Sequence, residues 1–490
     1  MSYADLIAHE KQTQSLSQVA GLLGWDQEAV MPPKAGAQRA EQMGAMASVL
    51  HARRTDPRIG EWLAGLDEGG LDPAGRANVA RIRRDWLRNE RMPARLAEEL
   101  AKLTSIGHGI WAQARADEDV AAFLPTLTQM VSLQREAADA QRLDDETRYD
   151  ALLDGYEPGM RTGPLTEILG SLRGPLSDLR AKIADSAKSP AALEGTFGAE
   201  GQMAVARHLA TVFGYDWDAG RMDLVTHPFC SGTLTDVRIT TRVDPARPFD
   251  CLYSTVHEVG HAVYEQGLPA AHALTPAGGH VSMGVHESQS RMLENQMGRS
   301  RAFCAYLHDK MVAQFGIELD AEQFYAAVNR VGPGFIRTEA DEVHYNLHVL
   351  MRFDLERAMM MGELEVADLE GAWNERFAAD FGVQVPQPSK GVLQDVHWSA
   401  GLFGYFPTYS LGNIYAAALF EKLRVAVPNI DSALERGDTT DALAWLHTNV
   451  HQHGSIHTAP QLMEQAVGGP VTAGPLMDYL NAKFGDLYGF

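Results

Sequence analysis

Cysteine is scarce in this chain: Cys230, Cys251 and Cys304 are the only three, and no CxxC occurs. That excludes a disulfide framework and fits a reducing compartment, so the cytoplasm is the expected location. Basic residues are outnumbered, 42 against 64 acidic, and the formal charge is -22. A surface of that sign disfavours phosphate backbones and anionic bilayers, so neither nucleic acid nor membrane is an expected partner. Long apolar runs are missing too. Nothing approaches the roughly 18 consecutive apolar residues of a membrane span, and the opening MSYADLIAHEKQTQ lacks the basic and apolar regions of a secretory signal. No fixed-period repeat and no low-complexity tract is present, which sets aside solenoids and disordered arrays.

What remains is ordinary globular composition, 45% hydrophobic and 22% charged over 490 residues, enough for a large core. From about residue 1 to 210 amphipathic helices follow one another, as in EQMGAMASVLHARR and PTLTQMVSLQREAADAQRL. The breaks fall at MPPKAG (31–36), GGLDPAG (69–75) and DGYEPGM (154–160). Between about 221 and 247 the pattern turns to Thr, Val and Ile with partial alternation, which predicts one or two short strands. Helical patterning resumes from 250 and is interrupted by a Gly-, Pro- and aromatic-rich stretch over 380–412. The expected fold is mainly α with a small β element. We read 1–490 as a single domain, with a helical lobe to about 210 and a catalytic lobe from about 211.

The chemistry concentrates in PFDCLYSTVHEVGHAVYEQGLP, with Asp250 as the expected N-cap and Gly267 followed by Pro269 as the stop. His257 and His261 are four residues apart, so both imidazoles leave one face of one helix and can share one metal. Glu258 points beside such an ion, where a carboxylate can take a proton from a water. Two solvated surface histidines would be the bland alternative. Val256, Val259, Ala262 and Val263 argue instead for a half-buried pair that needs a partner.

A catalytic zinc usually takes a third protein ligand. Glu265, His272, His280, His286 and Glu287 are in range along the chain. Glu265 lies one turn past His261, and a straight helix does not easily wrap three turns around one small ion. GGHVSMGVHESQSRMLENQMGRS turns helical near 284 and sets Glu287 in the first turn of a second helix. A carboxylate arriving from a packed second helix is the usual gluzincin arrangement, and on that ground alone Glu287 is preferred to His286.

These residues belong to an ordered series. GWDQEAVMP (24–32), DVRIT (236–240), HEVGH (257–261), HESQS (286–290), IRTEAD (336–341), GVLQDVHW (391–398) and GYFPTYSLG (404–412) together span nearly the whole chain. The series resembles the M32 metallocarboxypeptidases, the Taq carboxypeptidase group, without departure at these motifs. The resemblance implies a helical gluzincin-type fold with a deep groove, usually a homodimer. It implies a zinc enzyme, with cobalt able to substitute, that removes single residues from peptide C-termini with broad specificity.

On that resemblance Glu258 is the general base, and Tyr409, with Tyr405 second, donates to the developing oxyanion. Arg337 is the expected anchor of the substrate's terminal carboxylate, with Arg238 as the alternative. Pairing of Arg337 with Glu339 or Asp341 is the bland reading. His227 is expected to hydrogen-bond substrate, and Asp341 to orient a ligand histidine. Gln394, Asp395 and His397 are assigned to the groove wall, and HQHGSIHT (451–458) to a loop and helix cap. An oligoendopeptidase or peptidyl-dipeptidase with the same zinc site is the alternative activity.

Overall fold

The computed structural model describes residues 3–332 and 334–490. Helices dominate the described residues, and they start and stop where local chemistry dictates. Asp72 accepts from the backbone N–H of Gly75 and opens the helix Pro73–Arg91. Met92 and Pro93 then separate it from Ala94–Ala116, a break the helical periodicity alone does not reveal. The three punctuated stretches mark helix boundaries: 154–160 lies wholly between helices, whereas Gly36 and Pro73–Gly75 already belong to the first turns of the helices that follow.

The small sheet has three strands rather than one or two: β1 Gly220–Leu224, β2 Cys230–Thr233 and β3 Asp236–Thr241. β3 is central, parallel to β1 and antiparallel to β2. Each strand is too short to show a clear period of its own. The β2–β3 turn carries Leu234 at φ 55°, and the Leu234 N–H donates to the Glu265 carbonyl (3.1 Å). The sheet is thereby fastened to the C-terminal end of the helix Pro248–Gln266, hereafter the motif helix.

That helix starts at Pro248, not at Asp250. Proline suits the first helical position because its missing N–H has no partner to lose. Asp250 lies in the first turn and pairs with Arg247 (3.4 Å) and Arg242 (3.6 Å). The helix ends before Gly267, as expected. A second helix, Met283–Arg291, is capped by the Ser282 hydroxyl on the Val285 N–H (3.2 Å) and runs on as a π-helical segment, Met292–Met297. Two further helices enclose the site. Glu342–Met361 opens on Asp341, whose carboxylate accepts from the N–H groups of Val343 and His344. Phe406–Ala426 starts six residues earlier than the end of the predicted interruption, which puts Tyr409 in its first turn.

One apolar core runs from Leu96 to Tyr488, and a smaller one joins Leu6, Ile59, Leu63, Val79 and Ile82. Two glycines let the central helices meet at backbone distance. A Cβ on Gly260 would stand 2.4 Å from the Ser290 Cα, and a Cβ on Gly412 2.4 Å from the Glu287 Cγ. Any larger residue would hold these helices apart. Among the described residues no helix is long and apolar enough to cross a membrane.

Candidate metal and peptidase site

His257 and His261 project from one face of the motif helix toward Glu287, which lies in the second turn of its helix rather than the first. Glu287 Oε2 is 3.7 Å from His257 Nε2 and 3.4 Å from His261 Nε2. Donors about 2.0–2.2 Å from one shared tetrahedral ion would stand roughly 3.3–3.6 Å apart. The three groups therefore converge at ion-binding distance.

Each ligand candidate is held by a partner. The His257 Nδ1–H donates to Glu294 Oε2 (2.9 Å), which turns Nε2 inward. His261 Nδ1 is 3.2 Å from the His286 carbonyl oxygen. Arg291, one turn past Glu287, donates from Nε to Glu287 Oε1 (2.7 Å) and from an η-nitrogen to Glu294 Oε2 (3.2 Å). Its guanidinium lies 4.1 Å over the Tyr345 ring. With Oε1 taken by Arg291, Oε2 faces the imidazoles and also accepts from the Ser290 hydroxyl (3.2 Å). Burial opposes charge on Glu287, but Arg291 and His257 outweigh it and hold this carboxyl well below the usual range.

Glu258 is 6% exposed, and its Oε2 has no hydrogen-bond partner among the described residues. Burial, reinforced by the charge of Glu287, pushes its pKa up to about 7. Around it stand Glu287 and Glu294 against the guanidiniums of Arg291 and Arg299. Three buried carboxylates against two arginines leave an excess of negative charge. Two imidazoles and a carboxylate form a donor set suited to zinc. Donor chemistry, spacing and charge all fit a divalent cation.

Arg337 is buried and paired with neither Glu339 nor Asp341. Its Nε and one η-nitrogen lie 3.0 and 2.9 Å from Asp395 Oδ1. Asp395 also accepts from Arg352 (2.6 Å), so two guanidiniums share one carboxylate and a positive charge is left over. The Arg337 guanidinium stacks 4.9 Å over the Tyr409 ring. Tyr409 shares a hydrogen bond with His397 Nε2 (3.2 Å) and packs edge-on against Tyr405, ring centroids 5.2 Å apart. Burial pushes both phenols above their ordinary pKa, so both remain donors. Glu287 contributes to both shifts, which ties the tyrosines electrostatically to the ligand cluster.

Other expected residues lie elsewhere. Arg238, on β3, pairs with Asp236 (2.7 Å) and stacks 4.2 Å over Trp25. His227 is exposed on the connection between β1 and β2. Asp341, expected behind a ligand histidine, binds His344 Nδ1 (2.9 Å) while capping its helix, because capping points its carboxylate at its own first turn. Glu294 holds the ligand candidate His257 instead. Its signal was its place seven residues past Glu287, two turns along the same face. His451, within HQHGSIHT, reaches Gln289 Oε1 (3.0 Å), and Thr458 caps the helix Ala459–Val467.

A helical protein that sets two imidazoles one turn apart, a carboxylate from a packed helix and a buried carboxyl beside them falls in the class of metallopeptidases. Comparison with known proteins narrows the class. Residues 5–484 match the family described as carboxypeptidase Taq (M32) metallopeptidase. The chain is 41% identical to thermostable carboxypeptidase 1 of Thermus thermophilus, covering 100% of this chain and 99% of that one. It superposes on the M32 carboxypeptidase from Deinococcus radiodurans R1 with a TM-score of 0.95 at 38% identity, covering 100% and 99% of the two chains. Metallocarboxypeptidase 1 of Trypanosoma cruzi gives 0.96 at 34%, covering 98% and 99%. The chain belongs to the M32 family and is a metallocarboxypeptidase.

Proposed function

We propose that the chain is a zinc carboxypeptidase that removes single residues from free peptide C-termini with broad specificity, using Glu258 as general base. The observation that carries this reading is the convergence of His257 Nε2, His261 Nε2 and Glu287 Oε2 beside the unpartnered carboxyl of Glu258. Zinc, or cobalt in its place, supplies Lewis acidity there, lowering the pKa of water and polarising the scissile carbonyl. Glu258, with a pKa of about 7, takes a proton from the attacking water and returns it to the leaving amine. Tyr409 donates to the developing oxyanion, with Tyr405 as its neighbour and second donor. Arg337 binds the terminal carboxylate through the η-nitrogen edge that Asp395 leaves free, where Nη1 has only a long contact to the Tyr345 hydroxyl (3.4 Å). The pairing of Arg238 with Asp236 and Trp25 favours Arg337 for that anchor, and His227 remains the candidate for a contact along the peptide. Asp341 supports the site by fixing the helix that carries Tyr345.

The reading takes residues 1–490 as one peptidase domain, with the core from Leu96 to Tyr488 in support. It extends to a cytoplasmic homodimer. Val19, Leu22, Val30 and Val49 are each more than two-fifths exposed, apolar area that a partner subunit would cover, and sedimentation velocity checks the dimer. The deciding experiment compares one peptide with a free and an amidated C-terminus. One-residue ladders from the free form alone are expected. Equal cleavage of both would point to an oligoendopeptidase or peptidyl-dipeptidase.

A further inference from the structure

Behind His261 lies a chain of contacts that the peptidase reading does not use. His286 Nδ1 stands 2.5 Å from His261 Nδ1. His286 Nε2 is 3.0 Å from Glu265 Oε1, and His280 Nδ1 is 2.8 Å from the same oxygen. Glu265 is buried, and among the described residues no arginine or lysine pairs with it.

Proton accounting fixes the direction of this chain. For His261 to offer Nε2 to an ion, its own proton must sit on Nδ1. Two ring nitrogens 2.5 Å apart cannot both carry hydrogen, so His286 Nδ1 is the acceptor and His286 Nε2 is the N–H that donates to Glu265. One tautomer set satisfies every contact, with the His261 Nδ1–H shared between His286 Nδ1 and the His286 carbonyl oxygen (3.2 Å). The same accounting argues against a second ion among Glu265, His280 and His286, although their ligand atoms lie close together. The His286 nitrogen that would bind it is occupied by a proton.

We infer that Glu265 is a positioning residue that sets the ligand strength and orientation of His261 through the intervening ring of His286. The two ligand histidines are then supported unequally. His257 donates directly to Glu294, whose charge is shared with Arg291 and Arg299. His261 reaches its carboxylate at one remove, and that carboxylate faces only imidazoles. A buried anion without a basic counter-charge polarises the N–H bonds aimed at it more strongly. Glu265 holds this place because it lies one turn past His261 on the motif helix, and the Leu234 N–H grips its carbonyl. His280, 41% exposed at its side chain, is the outer end of the chain.

The inference rests on the zinc reading, and its test separates the two. The dissociation constant of Zn2+ is measured on the full chain by competition with a chromophoric chelator. Glu265→Gln should weaken it roughly 10–100-fold, the usual effect of losing such an outer partner, while His280→Ala should stay within about twofold. Glu265→Asp should lie nearer wild type than Glu265→Gln, since it keeps the charge. A packing role would give the reverse order, because aspartate is the smaller side chain. Melting of the metal-free variants verifies that each is folded. Unchanged affinity in Glu265→Gln would overturn the inference, as would the reversed order. So would a second bound Zn2+ in wild type that His280→Ala removes. If Glu287→Ala bound Zn2+ as tightly as wild type, the metal assignment itself would fall, a result that no change at Glu265 can produce.

Discussion

Glu258 and Arg337 are both buried charged groups, and their neighbours give them opposite tasks. Glu258 has no hydrogen bond at Oε2 and a pKa raised by burial to about 7, which suits the general-base role proposed for it. Glu258→Gln should lower kcat by roughly 10²–10⁴-fold with Zn2+ still bound, measured by steady-state kinetics and metal analysis. Arg337 never gives up its proton, and its partner Asp395 is also neutralised by Arg352. The fold should therefore survive Arg337→Lys. That variant should lose roughly 10–100-fold in kcat/KM on peptides with a free C-terminus, because a point charge replaces a planar fork.

At this scale the sequence was legible where function follows local spacing. The four-residue spacing from His257 to His261 fixes one helix face, and the motif order pointed to Glu287, Tyr409 and Arg337. The partners were not legible. Arg337 finds Asp395 58 residues away rather than its neighbours Glu339 and Asp341. Asp341 turns to His344, because an N-cap aims its side chain at its own helix. Such choices are made by packing between elements, and no period within one segment encodes them.

Among the elements, the motif helix, Met283–Arg291 and Phe406–Ala426 meet at Gly260 and Gly412. Gly412→Ala would set a methyl group 2.4 Å from the Glu287 Cγ and 2.6 Å from its Cβ. Overpacking of this kind typically costs about 1–3 kcal/mol. Melting of the metal-free variant should show that loss, and chelator competition should show weaker Zn2+ binding because Glu287 is displaced. Helix existence was readable from periodicity, whereas ends were less so. The motif helix begins two residues before Asp250, and the aromatic stretch ends when Phe406 starts a helix, because proline in a first turn initiates rather than breaks. Three strands of four to six residues are too short for their count to emerge from alternation.

Across the whole molecule, the first half of the chain supports the second through Glu157. Its Oε2 accepts from the Gly284 N–H 127 residues away (2.9 Å), and burial raises its pKa to about 7. The sign follows from proton binding: between about 4.5 and 7 the native state holds this proton and the unfolded chain does not. Stability from this group is thus present at low pH and lost as pH rises, by on the order of 3 kcal/mol. Chemical denaturation of the metal-free protein at pH 5 and pH 8 should reveal the decline, and Glu157→Gln should make it shallower, the remainder coming from Glu258 and Glu356, whose pKa values burial also raises to about 7. Mainly helical architecture was readable over the full length, but a tie of this kind was not, since it joins segments with no shared pattern.

Backbone contact at the two glycines has a consequence for how the enzyme acquires its ion. Walls that touch main chain to main chain leave no slack to close around a guest, so the cradle is already shaped before anything enters it. Stripping and reloading should then resemble emptying and refilling a rigid cup, with the helical frame intact throughout and no refolding step between the two states.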